Sequence, residues 1–212
     1  MVRFFVVFFI LFEDATKQLM FLFLLSSVLL FNLFHIFSSS RDVMISHTQR
    51  HGKAVALAEK LASSLEKLGL TIWLDVNMDQ RSAAAMEEGV RNSKCVIAII
   101  TGATADGNVG NAYFARPFCL SELQWAIDAG VQIQPIIQME DKSNIGAFMG
   151  QAPLHLKFIG NIDFIDMNRS DKDYWEVGIK KVVKAIENGQ TLSKSMKEMY
   201  AASKKELLAS VS

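Results

Sequence analysis

Cys95-Val96-Ile97-Ala98-Ile99-Ile100 is an unbroken apolar run. A strand with one face in water alternates apolar and polar side chains. An unbroken run marks a strand covered on both faces, as parallel strands are when helices pack above and below them. Downstream, a Gly-rich loop spans residues 101–111, and Pro117 opens a helix that ends near Gly130. Residues 131–137 read as the next strand, with Pro135 near its end. Residues 145–149 suit a short helical turn and 161–167 a fifth strand of edge character. The last clear helix is 174–187, carrying Val177, Ile179, Val182, Val183 and Ile186.

The same alternation runs upstream. Residues 43–46 form a short apolar strand that ends in a polar loop. Residues 53–68 place Val55, Ala58, Ala62, Leu65 and Leu68 at helical spacing, and Gly69 stops that helix. Residues 71–74 are β-branched and aromatic, a second strand. Ser82 precedes a short helix over 83–92, with Glu87 and Glu88 exposed. Strands alternating with helices predict an α/β fold with right-handed crossovers. Five strands fit a flavodoxin-like three-layer sandwich, with a five-stranded parallel sheet in the order 2-1-3-4-5. In that order the crevice lies between the C-terminal ends of strands one and three. A ligand site is therefore expected to use the loop 46–52, the loop 101–116 and the start of the following helix.

The 212 residues carry 22 Lys+Arg and 22 Asp+Glu. A balanced chain without a basic block argues against nucleic acid as the main partner. With 50% hydrophobic and 21% charged residues, disorder over most of the length is excluded. Two cysteines, Cys95 and Cys119, exclude a disulfide scaffold and a Cys-rich zinc module.

The average hides an asymmetry. Ten of the 15 Phe lie in residues 1–40, where only Arg3, Glu13, Asp14 and Lys17 are charged. Residues 4–12 form an apolar run of signal-peptide size. Residues 19–37 are free of formal charge, interrupted by Ser26, Ser27, Asn32 and His35. As a helix they would be roughly 28 Å long, close to the hydrocarbon thickness of a bilayer. This N-terminal hydrophobic helix is expected to span a membrane once. Arg41, Arg50 and Lys53 follow it, which places the domain beyond in the cytosol. A cleaved targeting segment is the other reading; without the leader the domain is cytoplasmic. The expected organisation is a leader at 1–40, a domain at 41–188 and a Lys/Ser-rich tail at 189–212, with a loosely attached or frayed helix in the tail.

Several uses of the crevice are excluded. Neither G-x-G-x-x-G after a strand nor G-x-x-x-x-G-K-[ST] is present, so the standard phosphate cradles are missing. Strand three ends Ile99-Ile100-Thr101, without the carboxylate of a phospho-acceptor. No cluster has metal-ligand spacing. His47 and His51 read as part of a polar surface loop rather than a zinc pair. One carboxylate stands in the right place. Glu122 lies in Phe118-Cys119-Leu120-Ser121-Glu122-Leu123, one turn into the helix after strand three. Helix starts favour a carboxylate on electrostatic grounds, so a surface Glu held by the helix dipole is the plain alternative.

Five segments, in order, resemble the TIR (Toll/interleukin-1 receptor/resistance protein) domain. Asp42-Val43-Met44-Ile45-Ser46-His47 resembles the family's opening strand, D-V-F-I-S-[YFH], and Leu70-Thr71-Ile72-Trp73-Leu74-Asp75 its second. The stretch from Gly89 to Thr101 resembles I-x-x-S-x-x-x-I-x-[VI]-[LI]-[ST]. Phe118-Cys119-Leu120-Ser121-Glu122-Leu123 resembles W-C-x-x-E-L, with Phe118 in place of Trp, and Val131-Gln132-Ile133-Gln134-Pro135-Ile136-Ile137 resembles the fourth strand.

The resemblance implies a signalling protein of the innate-immunity kind. In enzymatic members the Glu of that motif cleaves NAD+ to nicotinamide and ADP-ribose, or a cyclic ADP-ribose. The role maps onto Glu122, with NAD+ as substrate and no cofactor or metal. Substrate-binding positions implied around it are Ser46, His47, Thr48, Asp75, Arg81 and Cys119. Arg81 would face a phosphate or a neighbouring subunit, or stand solvated on its loop. Cys119 reads as a buried small residue rather than a nucleophile, since no base adjoins it. Trp73 and Trp125 read as core or half-buried aromatics, and Trp175 as packing the last helix on the sheet. Expected partners are NAD+, a second copy through the loop 76–82, other TIR proteins, and the membrane through the leader. A non-enzymatic TIR adaptor working by homotypic assembly is the alternative. A nucleotide- or flavin-binding flavodoxin-like protein lacks its phosphate loop.

Overall fold

The computed structural model describes residues 41–74, 82–188, 198, 200–202 and 205. The expected membrane helix at 19–37, and Asp75 and Arg81, lie outside the described residues. Among the described residues no helix is long and apolar enough to cross a membrane.

Five parallel strands run in the order β2-β1-β3-β4-β5. They are β1 (Arg41–Ser46), β2 (Ile72–Trp73), β3 (Ser93–Ile99), β4 (Gln132–Gln138) and β5 (Ile165–Met167). The helices are α1 (Gly52–Glu66), α2 (Ala83–Arg91), α3 (Pro117–Ala129), α4 (Ile145–Gly150) and α5 (Lys172–Asn188). The three-layer flavodoxin-like architecture is thus the observed one. The register pairs Val43 with Cys95, Ser46 with Ala98, and Cys95 with Gln132. It aligns the carboxyl ends of β1 and β3, where the chain leaves in opposite directions and a crevice opens.

Successive strand residues face opposite layers. Val43 and Ile45 join the core under α1 and α5, with Leu57, Leu61, Leu65, Ile97, Ile99 and Val182. Met44, Val96, Ala98 and Ile100 join the core under α2 and α3, with Met86, Val90, Leu123 and Tyr113. Trp175 is buried in the first of these. Its indole N–H donates to Ser64 Oγ at 3.1 Å, and the Lys60 ammonium lies 4.3 Å from the ring centroid. Trp73 is buried and Trp125 half-buried, as read from the sequence.

Some boundaries move. The buried stripe of α1 is Ala54, Leu57, Ala58, Leu61, Ala62 and Leu65, whereas Leu68 is exposed. The helix ends at Glu66, and Gly69 turns the chain at φ 83°, a left-handed conformation open to glycine at little cost. Leu68 therefore falls beyond the last helical turn and off the stripe. The second strand shrinks to two paired residues at the sheet's edge. Only Ile165–Met167 of the expected fifth strand pairs, and Asn161 at its expected start closes a 3₁₀ stretch, Leu154–Asn161. In the tail, Tyr200 is helical; its ring packs edge-on against Phe158 and its hydroxyl accepts from Gln124 Nε2 at 2.9 Å.

Candidate functional site

The site begins with α3. Pro117 sits in the first turn, where a missing N–H costs no hydrogen bond, and Gly130 closes the helix at φ 71°. Cys119, Glu122, Leu123 and Ala126 are its buried residues, one stripe of helical spacing turned toward the sheet. Glu122 therefore points inward and is only 4% exposed. It lies beyond the first turn, where the helix dipole has faded. The surface-Glu alternative does not describe this residue.

A buried carboxylate needs hydrogen bonds or charge partners to offset lost hydration. Ser46, the last residue of β1, donates its hydroxyl to Glu122 Oε2. The same Ser46 oxygen lies 2.6 Å from the hydroxyl of Tyr113. Tyr113 opens a 3₁₀ turn, Tyr113–Ala115, and its amide donates to the Thr101 carbonyl at the end of β3 (3.0 Å). Burial above all, and then the nearby Cys119 thiol and Glu122 carboxylate, raise the Tyr113 phenol well above its ordinary range, against the Ser46 hydrogen bond. The phenol keeps its proton.

Apart from Asp75 and Arg81, each site residue named from the sequence now has a place. Glu122 and Ser46 meet directly. His47 is buried, and its carbonyl accepts from the Cys119 thiol at 3.5 Å, tying the loop after β1 to α3. Cys119 is buried, a small core residue with a weak thiol donor. Cys95 lies in the sheet core, where burial pushes its thiol up to about 12 despite a hydrogen bond from the Gln134 backbone. Thr48 is buried, not exposed on a loop, and its hydroxyl has no hydrogen-bond partner among the described residues. Thr101, at the end of β3, is the same. The expectation of a polar surface loop around His47 and His51 is corrected in part: His47, Thr48 and His51 are buried, whereas Gln49 and Arg50 at the turn are exposed. His51 caps α1, accepting from the Ala54 amide at 3.4 Å. No group of three His, Cys, Asp or Glu suited to a metal occurs among the described residues.

An open cleft of about 420 Å³ is lined by His51, Gly52 and Lys53, the loop residues 102–106, Asp141 and Phe148. It uses the start of α1 and the loop after β3, as the topology predicts. Glu122, Ser46 and Tyr113 do not line it. Tyr113 and Thr101 lie in the loop 101–116 that the topology assigned to the site, but neither was singled out from the sequence. An aromatic beside a Gly-rich loop is indistinguishable in sequence from an ordinary core residue.

Comparison with known proteins follows the same lines. No curated protein matches the chain. Among solved structures, the TIR domains of the activated Roq1 resistosome directly recognizing the pathogen effector XopQ are similar at 15% identity and a TM-score of 0.49, over 69% of this chain and 99% of that one. The CMP N-glycosidase BcmB of Clostridium botulinum is similar at 13% identity and a TM-score of 0.37, over 67% and 97%. The TIR domain family model matches residues 43–183, from the middle of β1 into α5. The chain belongs to the TIR domain family.

Proposed function

We propose that this TIR domain hydrolyses NAD+ to nicotinamide and ADP-ribose, or its cyclic isomer, with Glu122 as the one catalytic carboxylate. The observation that carries this reading is the inward-turned, buried Glu122, hydrogen-bonded to the last residue of β1 at the topological switch point. The bond to be cut joins the ribose anomeric carbon to a pyridinium nitrogen. Nicotinamide takes the bonding electron pair and leaves neutral, so no general acid is needed, unlike ordinary glycoside cleavage with its two carboxylates. Positive charge develops on the ribose, and an anion preorganised in a site of low polarity stabilises it. Water then adds to the anomeric carbon and releases one proton. In the cyclic product an internal nucleophile of the substrate takes the place of water. The start of α1 and Lys53 border the open cleft and would meet the pyrophosphate there, against the opposing charge of Asp106 and Asp141 in the same lining.

The proposal includes activation by self-association and an anchor at 19–37 that leaves the domain in the cytosol. The adaptor reading draws on a different observation: Glu122 does not border the open cleft. One experiment separates the two. The full chain is incubated with NAD+ at rising protein concentration, and nicotinamide is followed by chromatography. Release that climbs faster than protein concentration and vanishes in Glu122→Gln is expected for the enzyme. No release from a folded chain at any concentration leaves the adaptor.

A further inference from the structure

We propose that Tyr113 is a positioning residue for Glu122, acting through Ser46; the proposal rests on the reading of Glu122 as the catalytic carboxylate.

Three side chains from three elements meet at this point. Ser46 ends β1, Tyr113 begins the turn before α3, and Glu122 lies on α3. Their separations along the chain are 67 and 76 residues. Tyr113 is fully buried, Ser46 is 1% exposed and Glu122 4%. A serine hydroxyl carries one proton and can also accept. That proton is given to Glu122 Oε2, so the contact to Tyr113 has the phenol as donor. The chain of hydrogen bonds runs one way: Tyr113 O–H to Ser46, Ser46 O–H to the carboxylate. Each bond polarises the next, and both strengthen toward an anionic Glu122.

The direction gives Tyr113 a task that packing alone does not. A hydroxyl with no neighbour on its oxygen rotates to suit any acceptor. With the phenol on that oxygen, the Ser46 proton is aimed at Glu122, and a flexible carboxylate is held in one rotamer. Tyr113 is itself fixed. Its ring packs edge-on to Phe114, with centroids 5.3 Å apart and planes at 85°, and its amide is tied to the Thr101 carbonyl. A group held within a fraction of an ångström of its working position is what preorganised catalysis requires.

The test uses the full chain and four variants: Tyr113→Phe, Ser46→Ala, the double variant, and Glu122→Gln. Two readouts are taken. The first is kcat and KM for nicotinamide release from NAD+. The second is the infrared carboxylate stretch of Glu122, identified as the difference between wild type and Glu122→Gln. Tyr113→Phe is expected to lower kcat about tenfold with KM within about twofold, Ser46→Ala at least as much, and the double variant no further than Ser46→Ala. The carboxylate band shifts in Tyr113→Phe.

A wild-type kcat with an unmoved band in Tyr113→Phe overturns the proposal, as do losses that multiply in the double variant. If the wild type releases no nicotinamide, the hydrolase reading falls, and the band alone decides whether Tyr113 positions Glu122. Should Tyr113→Phe melt too early to assay, 3-fluorotyrosine replaces the phenol with a stronger donor of nearly the same shape. The Glu122 band must then move, and an unmoved band overturns the proposal.

Discussion

The two faces of the sheet are built from alternate residues of the same strands, yet they bury different chemistry. Under α1 and α5, Val43, Ile45, Ile97 and Ile99 meet Leu57, Leu61, Leu65 and Val182 in an apolar layer. Under α2 and α3, Met44 is followed by Ser46, and the layer takes in the hydroxyl of Tyr113 and the carboxylate of Glu122. An apolar layer is stabilised by area removed from water. Enclosing an ionised group costs several kcal/mol before its hydrogen bonds repay part of it. That cost, carried at Glu122, is why the proposed chemistry is placed on this face.

The sharpest break in the comparison is Glu122→Gln. It keeps shape and can still bond to Ser46, so the fold should hold while nicotinamide release falls about 10²–10³-fold. Equal loss of release and of folded protein by circular dichroism would make Glu122 a packing residue like those opposite. The reverse result is expected from Leu61→Ala on the apolar face. A cavity under α1 should cost about 3 kcal/mol in a urea melt and leave kcat per folded molecule unchanged.

A smaller effect is expected from Gly89→Ala. The added Cβ would stand 2.6 Å from the indole of Trp73, on the α2 side, so crowding should cost about 1–3 kcal/mol. An unchanged melting temperature would mean that β2 and α2 part easily.

The smallest effect belongs to Asp42, at the start of β1. Burial opposes its charge, but hydrogen bonds from Lys94 and from Thr71 (backbone and hydroxyl), with the Lys94 charge, outweigh it and hold the carboxyl below its usual range. A depressed folded-state value adds stability that is present above about pH 4 and is lost as pH falls through the folded value. Asp42→Asn should cost no more than about 1 kcal/mol at neutral pH and flatten the acid side of the stability curve. Urea melts at pH 7 and pH 3 that differ as much as in the wild type would remove Asp42 from that account.

Legibility followed the range of each interaction. The run from Cys95 to Ile100 announced a doubly covered strand, and strand order followed from crossover rules. The motif order singled out Glu122 one turn into its helix, but left open whether it faced water; the buried stripe of Cys119, Glu122, Leu123 and Ala126 came from the fold. His47 and His51, by contrast, read as part of a polar surface loop; their burial depends on tertiary packing that no local pattern encodes.

Hydrophobic periodicity, glycine stops and ordered motifs were enough to establish the TIR fold and to single out Glu122, because each is a property of neighbouring residues. The union of Ser46, Tyr113 and Glu122 was not contained in any such pattern. It joins groups 67 and 76 residues apart, and packing of the sheet against α3 alone brought hydroxyl, phenol and carboxylate within hydrogen-bonding reach.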